Sequence, residues 1–244
     1  MIEEENNLII IDENANKEEI DIYSDRFKKM MFLYEAALKE VKTKIEIIQD
    51  ELKLFVDYEP IEYISTRLKE PQNIIEKLKR KNYTLTYGEM FEKINDIAGI
   101  RIVCNFKSDV YKIVQIIENF QDVRILNKKD FMKNPKKSGY MSYHLITEIP
   151  VSFSQGTMWI KVEIQIRTLG MHFWASLEHK LKYKNSAISK TESKNLVKYA
   201  KVINNIDENM LTISNKLEEP LNTNIMIAAD SNENLKKKKF DFKL

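Results

Sequence analysis

Cysteine, histidine and glycine are all scarce in this chain of 244 residues, and each scarcity removes a class of chemistry. Cys104 is the only cysteine and lies in the apolar run Ile102-Val103-Cys104. No internal disulfide can form, a buried and inert thiol is expected, and a reducing cytoplasm fits. The three histidines, His144, His172 and His179, show no zinc-ligand spacing with that one cysteine. The five glycines form neither GxxxxGK nor GxGxxG, which excludes a P-loop or a Rossmann dinucleotide site. There is no GxSxG and no recognisable Cys–His pair, so acyl transfer has no support. Long apolar runs are missing too; Leu8-Ile9-Ile10-Ile11 is among the longest, and no transmembrane helix is expected. The opening Met1-Ile2-Glu3-Glu4-Glu5 lacks the basic region of a secretory signal. The expectation is a soluble, cytoplasmic protein with no membrane contact.

The net charge of +2 conceals a separation of charge. Residues 1–22 hold eight acids against Lys17, a net −7, so the remainder carries +9, with basic clusters at 67–81 and 124–137 and a run at Lys236–Lys239. Basic clusters within a folded domain point to anionic ligands. Residues 1–21 read as an acidic flexible extension, 22–217 as the folded domain, and 218–244 as a disordered lysine-rich tail.

Phe27, Met31, Tyr34, Leu38, Val41, Ile45, Ile48, Leu52 and Phe55 recur in steps of four and three, as on one face of a long helix. Leu196, Tyr199, Ile203, Ile206, Met210, Ile213 and Leu217 repeat the pattern near the end. Stripes of this length favour helix–helix packing and self-association. Between them lies an α/β stretch. Strands are expected at 63–68, 99–106, 121–127, 142–149 and 157–168, and helices at 71–81, 108–119 and 169–183.

The strand Val162-Glu163-Ile164-Gln165-Ile166-Arg167-Thr168 is the most informative element. Alternation puts Val162, Ile164 and Ile166 on a core face, and Glu163, Gln165 and Arg167 on the other, spaced roughly 6–7 Å apart. A second carboxylate, Asp96, stands just before the strand beginning at Gly99. Two acids on neighbouring strands suit Mg²⁺ with open positions for phosphate oxygens, the solution available to a phosphoryl-transfer protein without a P-loop. Arg67, Lys69, Lys77, Arg80, Arg101, Lys128, Lys129, Lys136 and Lys137 supply cations around them. Guanidinium groups also stack on purines. Lys136-Lys137-Ser138-Gly139-Tyr140 offers a close-approach glycine and a flat aromatic face, and His144 shares the strand face of Tyr140 and Ser142.

Four segments then stand in order: Ile61–Lys69, Asp96–Arg101, Ser138–His144 and Glu163–Thr168. Together they resemble the synthetase domain of the RelA/SpoT family, and the short chain with long helices at either end resembles its stand-alone RelQ-type alarmone synthetases. The resemblance implies an α/β (α+β) fold, a nucleotidyltransferase-like mixed sheet flanked by helices. It implies Mg²⁺-dependent transfer of the pyrophosphate of ATP to the 3′-hydroxyl of GDP or GTP, with GMP a further acceptor, and no hydrolase activity. Carried over by position, Asp96 and Glu163 would hold the metal, with Glu163 as base. Arg67, Lys69, Lys77, Arg80 and Arg101 would bind ATP. Lys129, Lys136, Tyr140, His144, Gln165 and His172 would bind the acceptor. Tyr63 occupies a position tied to regulatory guanine nucleotide binding, and a homotetramer is implied. Met141 stands where the family has Arg or Lys, and His172 where RelQ-type members often have Asn. The competing readings are a single-stranded RNA-binding regulatory oligomer, which has no need for Asp96 and Glu163, and an inert oligomeric scaffold, which leaves the polar face of strand 157–168 unexplained.

Overall fold

The apolar stripes and alternating strands assemble into five strands with helices on both faces. The computed structural model describes residues 19–184 and 189–218. Helix α1 (Asp25–Val56) starts at Ser24, whose side chain accepts from the Phe27 amide, and stops at Asp57 in the left-handed region. Then come β1 (Ile61–Leu68), α2 (Pro71–Arg80), α3 (Tyr87–Lys93), β2 (Ala98–Cys104), α4 (Lys107–Glu118), β3 (Arg124–Asp130), β4 (Tyr143–Phe153), β5 (Gly156–Thr168), α5 (Leu169–Lys184) and α6 (Lys190–Glu218).

The sheet order is β1-β2-β5-β4-β3, with β2 and β5 parallel and the other pairs antiparallel. The mixed sheet expected from the sequence is present. Ile100, Ile102, Leu145, Val162, Ile164 and Ile166 are fully buried on one face and form the core with the inner side of α1 and with α4. In the α1 stripe Phe27, Tyr34, Leu38, Val41 and Ile45 are buried and Met31 and Leu52 partly so, but Phe55, in the last turn, is 70% exposed.

Pairing register arranges the opposite face in rows. One row is Arg67, Gly99, Glu163 and Ile146; the next is Ser65, Arg101, Gln165, His144 and Lys129; a third is Tyr63, Val103 and Arg167. Each strand thus contributes every second residue to one polar floor. Helices α5 and α6 close one end of this floor, with Trp174, Ala175 and Ala200 packed together and Tyr140, Leu196 and Ile203 around them.

Several elements differ from the sequence-based expectation, and β4 runs on to Phe153, four residues past its expected end at 149. Helix α3 is additional. Strand β3 begins at Arg124 rather than 121, since Gln121-Asp122 forms the turn that leaves α4. Helix α6 begins at Lys190, where Ser189 accepts from the Glu192 amide at 3.1 Å and the Glu192 carboxylate accepts from the Ser189 amide at 2.8 Å. Most of the acidic extension and the lysine-rich tail lie outside the described residues, apart from Glu19–Asp21 and Glu218. Glu19 already bridges to Thr86, and the Ile20 amide donates to the Leu85 carbonyl at 2.8 Å.

Candidate active site

Over the polar floor lies a hollow of about 640 Å³ lined by Arg67, Lys77, Asp96, Arg101, Lys129, Lys136, Tyr140, His144, Glu163, Gln165 and Arg167, among others. A second of about 370 Å³ adds Lys69 and shares Arg67, Asp96, Arg101, Glu163 and Gln165. Both carboxylates read from the sequence therefore face the same space.

They keep their charge by different means. Burial alone would raise the Asp96 carboxyl, but Lys77 donates to Oδ1 at 2.7 Å and Lys69 to Oδ2 at 3.2 Å, and together they hold it below the usual carboxylate range. Burial also pushes Glu163 upward. His144 Nδ1, 3.1 Å from Oε1, and Gln165 Nε2, donating to Oε2 at 2.8 Å, outweigh that and bring it below its ordinary value, against an opposing push from the Asp96 charge. An ionised Glu163 only accepts, so Nδ1 of His144 carries its proton. Nε2 of the same ring lies 2.8 Å from the Tyr140 hydroxyl oxygen. Burial raises the Tyr140 hydroxyl and keeps it a donor. Two ionised carboxylates are hard oxygen donors that fit a divalent cation, leaving its other positions to phosphate oxygens and water. Among the described residues no group of three or more histidines, cysteines and carboxylates is placed to hold a metal ion.

The aromatic side of the hollow is fixed by the 136–140 turn, in which the Lys136 amide donates to the Tyr140 carbonyl at 3.1 Å and Gly139 to the Lys136 carbonyl at 2.8 Å. Gly139 has φ +89° and lies so close to α6 that a Cβ would sit 2.7 Å from Ala200 Cβ. The Lys136 ammonium stands 4.7 Å from the Tyr140 ring centroid and 4.6 Å from that of Phe131. Phe131 and Ser176 line the hollow and have no signature in the sequence.

Other residues fall elsewhere. Arg80 is exposed at the end of α2 and lines neither hollow. His172 also lies outside both linings; its Nε2 is 3.1 Å from Ser176 Oγ, and its ring meets Tyr63 edge-on at 5.6 Å. Met141 is buried, and Lys137 is exposed outside both linings. A separate hollow of about 700 Å³, beside α3 and lined partly by Phe91, Trp159 and Lys161, contains none of these groups.

Chemically, the arrangement offers an anionic pair for a cation, one carboxylate free of ion pairing to lysine or arginine as a base, ammonium and guanidinium walls for phosphates, and an aromatic face. Those are the parts of a phosphoryl-transfer site.

Residues 66–188 match the region found in RelA/SpoT proteins. The GTP pyrophosphokinase YwaC of Bacillus subtilis is 40% identical over 205 residues, 84% of this chain and 98% of that protein. The small alarmone synthetase 2 of B. subtilis superposes with TM-score 0.72 at 39% identity, covering 79% of this chain and 100% of that one. The small alarmone synthetase 1 of B. subtilis, in a structure bound to its product pppGpp, does so with TM-score 0.75 at 33% identity, over 80% and 100%. Register, hollow and likeness agree: this chain is a member of the RelA/SpoT family.

Proposed function

We propose that this protein is a GTP pyrophosphokinase that transfers the pyrophosphate of ATP to the ribose 3′-hydroxyl of GDP or GTP, and of GMP as a further acceptor, making (p)ppGpp and releasing AMP. It is a synthetase only, acting in stringent-response signalling. The acceptor 3′-oxygen attacks the β-phosphorus of ATP, the bond from that phosphorus to the α,β-bridging oxygen breaks, and the hydroxyl proton passes to Glu163. Arg67, Lys69, Lys77 and Arg101 hold the donor. Lys129, Lys136, Tyr140, His144 and Gln165 hold the acceptor, with Tyr140 stacking on guanine. Mg²⁺, held by Asp96 and Glu163 when bound, would neutralise phosphate charge. Positioning and charge neutralisation account for most of what such a transfer needs.

The observation that carries this reading is Glu163: a carboxylate on the central strand, held ionised by His144 and Gln165 rather than by a lysine, in the same hollow as Asp96. RNA binding has no use for it, since it repels phosphate. The test is incubation with Mg²⁺, labelled ATP and each of GMP, GDP and GTP, followed by nucleotide separation. Label is expected in a guanine nucleotide only when all three components are present. Its absence with every acceptor would sink the reading.

We also propose a homotetramer built on α5 and α6, in the cytoplasm, with Tyr63 facing a regulatory guanine nucleotide where subunits meet. Apolar side chains exposed along both helices support the assembly. No helix among the described residues is long and apolar enough to cross a membrane.

A further inference from the structure

Arg167 is the most buried charged group on the polar floor, 3% exposed. Its hydrogen bond among the described residues runs from a terminal guanidinium nitrogen to Gln165 Oε1 at 2.7 Å, and its Nε is buried without a partner. A guanidinium taken from water without a carboxylate against it is costly, and a leucine or methionine would fill the same place at less cost. Packing alone therefore does not account for arginine here.

Its position does. Gln165 lies between Arg167, which only donates, and ionised Glu163, which only accepts. One amide orientation satisfies both: oxygen toward Arg167, nitrogen toward Glu163. When Glu163 takes up a proton during transfer it becomes able to donate, and Arg167 is then the group that keeps the amide from turning over. Each end of the amide retains one valence, a lone pair on Oε1 and an N–H on Nε2, in a hollow shared with Tyr140. The guanidinium carbon of Arg167 also stands 5.7 Å from the Tyr140 ring centroid. Guanine presents an acceptor, O6, beside a donor, N1–H; adenine presents a donor, the N6 amine, beside an acceptor, N1. A fixed amide matches one order and opposes the other, and a polar site left mismatched rejects strongly.

We propose that Arg167 is a specificity-determining positioning residue, which locks the Gln165 amide so that the acceptor site selects guanine over adenine. This rests on the synthetase reading above. The test compares wild type, Arg167→Met, Arg167→Lys, Gln165→Met and the Arg167→Met/Gln165→Met pair, with labelled ATP as donor and GDP or ADP as acceptor. Arg167→Met is expected to raise KM for GDP about tenfold and to lower the GDP-over-ADP ratio of kcat/KM by about tenfold or more, with KM for ATP within about twofold. Arg167→Lys should recover part of the ratio. In the Gln165→Met background, Arg167→Met should change it no further, because the arginine acts through the amide. An unchanged ratio, equal rises in both KM values, or additive effects would overturn the proposal. If Arg167→Met does not fold, Arg167→Lys decides: it must lower the ratio. Calorimetric binding of GDP against ADP to wild type and Arg167→Lys separates the two readings. A wild type that makes no product sinks the synthetase reading, whereas loss of GDP preference on binding still supports the role of Arg167, and unchanged preference overturns it.

Discussion

Glu163 and Asp96 sit in one hollow but are held in different ways, so they call for different tests. Glu163→Gln keeps shape and removes the base; turnover should fall at least about a hundredfold, the usual scale for a lost general base, with the melting temperature unchanged. Near-normal product formation would refute its assignment. Asp96 is held by Lys69 and Lys77, the same ammonium groups proposed for ATP phosphates. In the nucleotide-free protein these lysines compete with any cation for the carboxylate. Replacing both with methionine should therefore tighten Mn²⁺ binding to the protein without nucleotide by about tenfold, on the scale of two partly exposed ion pairs. Electron paramagnetic resonance of free Mn²⁺ measures it, and unchanged affinity would show that the clamp is passive. At this scale alternation was enough to put Glu163, Gln165 and Arg167 on one face, because period two is a backbone property. Partners were not legible. Which lysine reaches Asp96, and that Arg80 one turn beyond Lys77 does not, depends on how α2 packs, and a basic helix reads the same at every turn.

Among the elements, α6 does more than close the fold, since its first half presses on the loop that carries Tyr140. Gly139 answers to both demands of that contact: a positive φ and no Cβ, with Val197 Cα at 3.3 Å as well as Ala200 Cβ at 2.7 Å. Gly139→Ala should cost about 1–3 kcal/mol of stability, the range for a strained backbone conformation, visible as a lower melting temperature. It should also raise KM for the guanine nucleotide more than KM for ATP, because the loop lines the aromatic side only. An unaltered melting curve with unaltered KM values would mean that the loop is not held by α6. The long elements were legible for the reason that makes them long: α1, β5 and α5 each repeat their period several times. Helix α3, with seven residues, completes too few turns to show one, and Thr86 capping the Glu89 amide is its main local signal. The start of α6 was hidden behind a polar first turn, although Ser189-Lys190-Thr191-Glu192 is a capping-box sequence that marks it.

For the whole molecule, the unresolved demand is apolar surface. Leu196, Ala200 and Ile203 on α6 turn inward to α5, and Thr168 Oγ1, donating to Asp207 at 2.6 Å, and Lys107, donating to Glu208 at 2.8 Å, tie the helix to the domain. The helix continues to Glu218 with Met210 and Ile213 each 54% exposed and Leu217 72% exposed. Phe173, Leu177 and Leu181 on α5 are exposed too. A long helix depends on burial for its stability, and apolar surface of this extent is uncommon on a monomer. Both point to burial by further copies of the chain. Light scattering at micromolar concentration should therefore give a multiple of the 28.9 kDa chain mass, four for the proposed tetramer. Met210→Glu/Ile213→Glu, at two exposed positions of α6, should reduce it to one chain while leaving the sheet's melting transition in place. Since the near half of the same helix presses on the Gly139 loop, the dissociated variant should also show a raised KM for the guanine nucleotide and an ordinary KM for ATP. A wild type of single-chain mass would refute the assembly. A dissociated variant with both KM values unchanged would leave α6 as a brace for each subunit's own loop, independent of its neighbours.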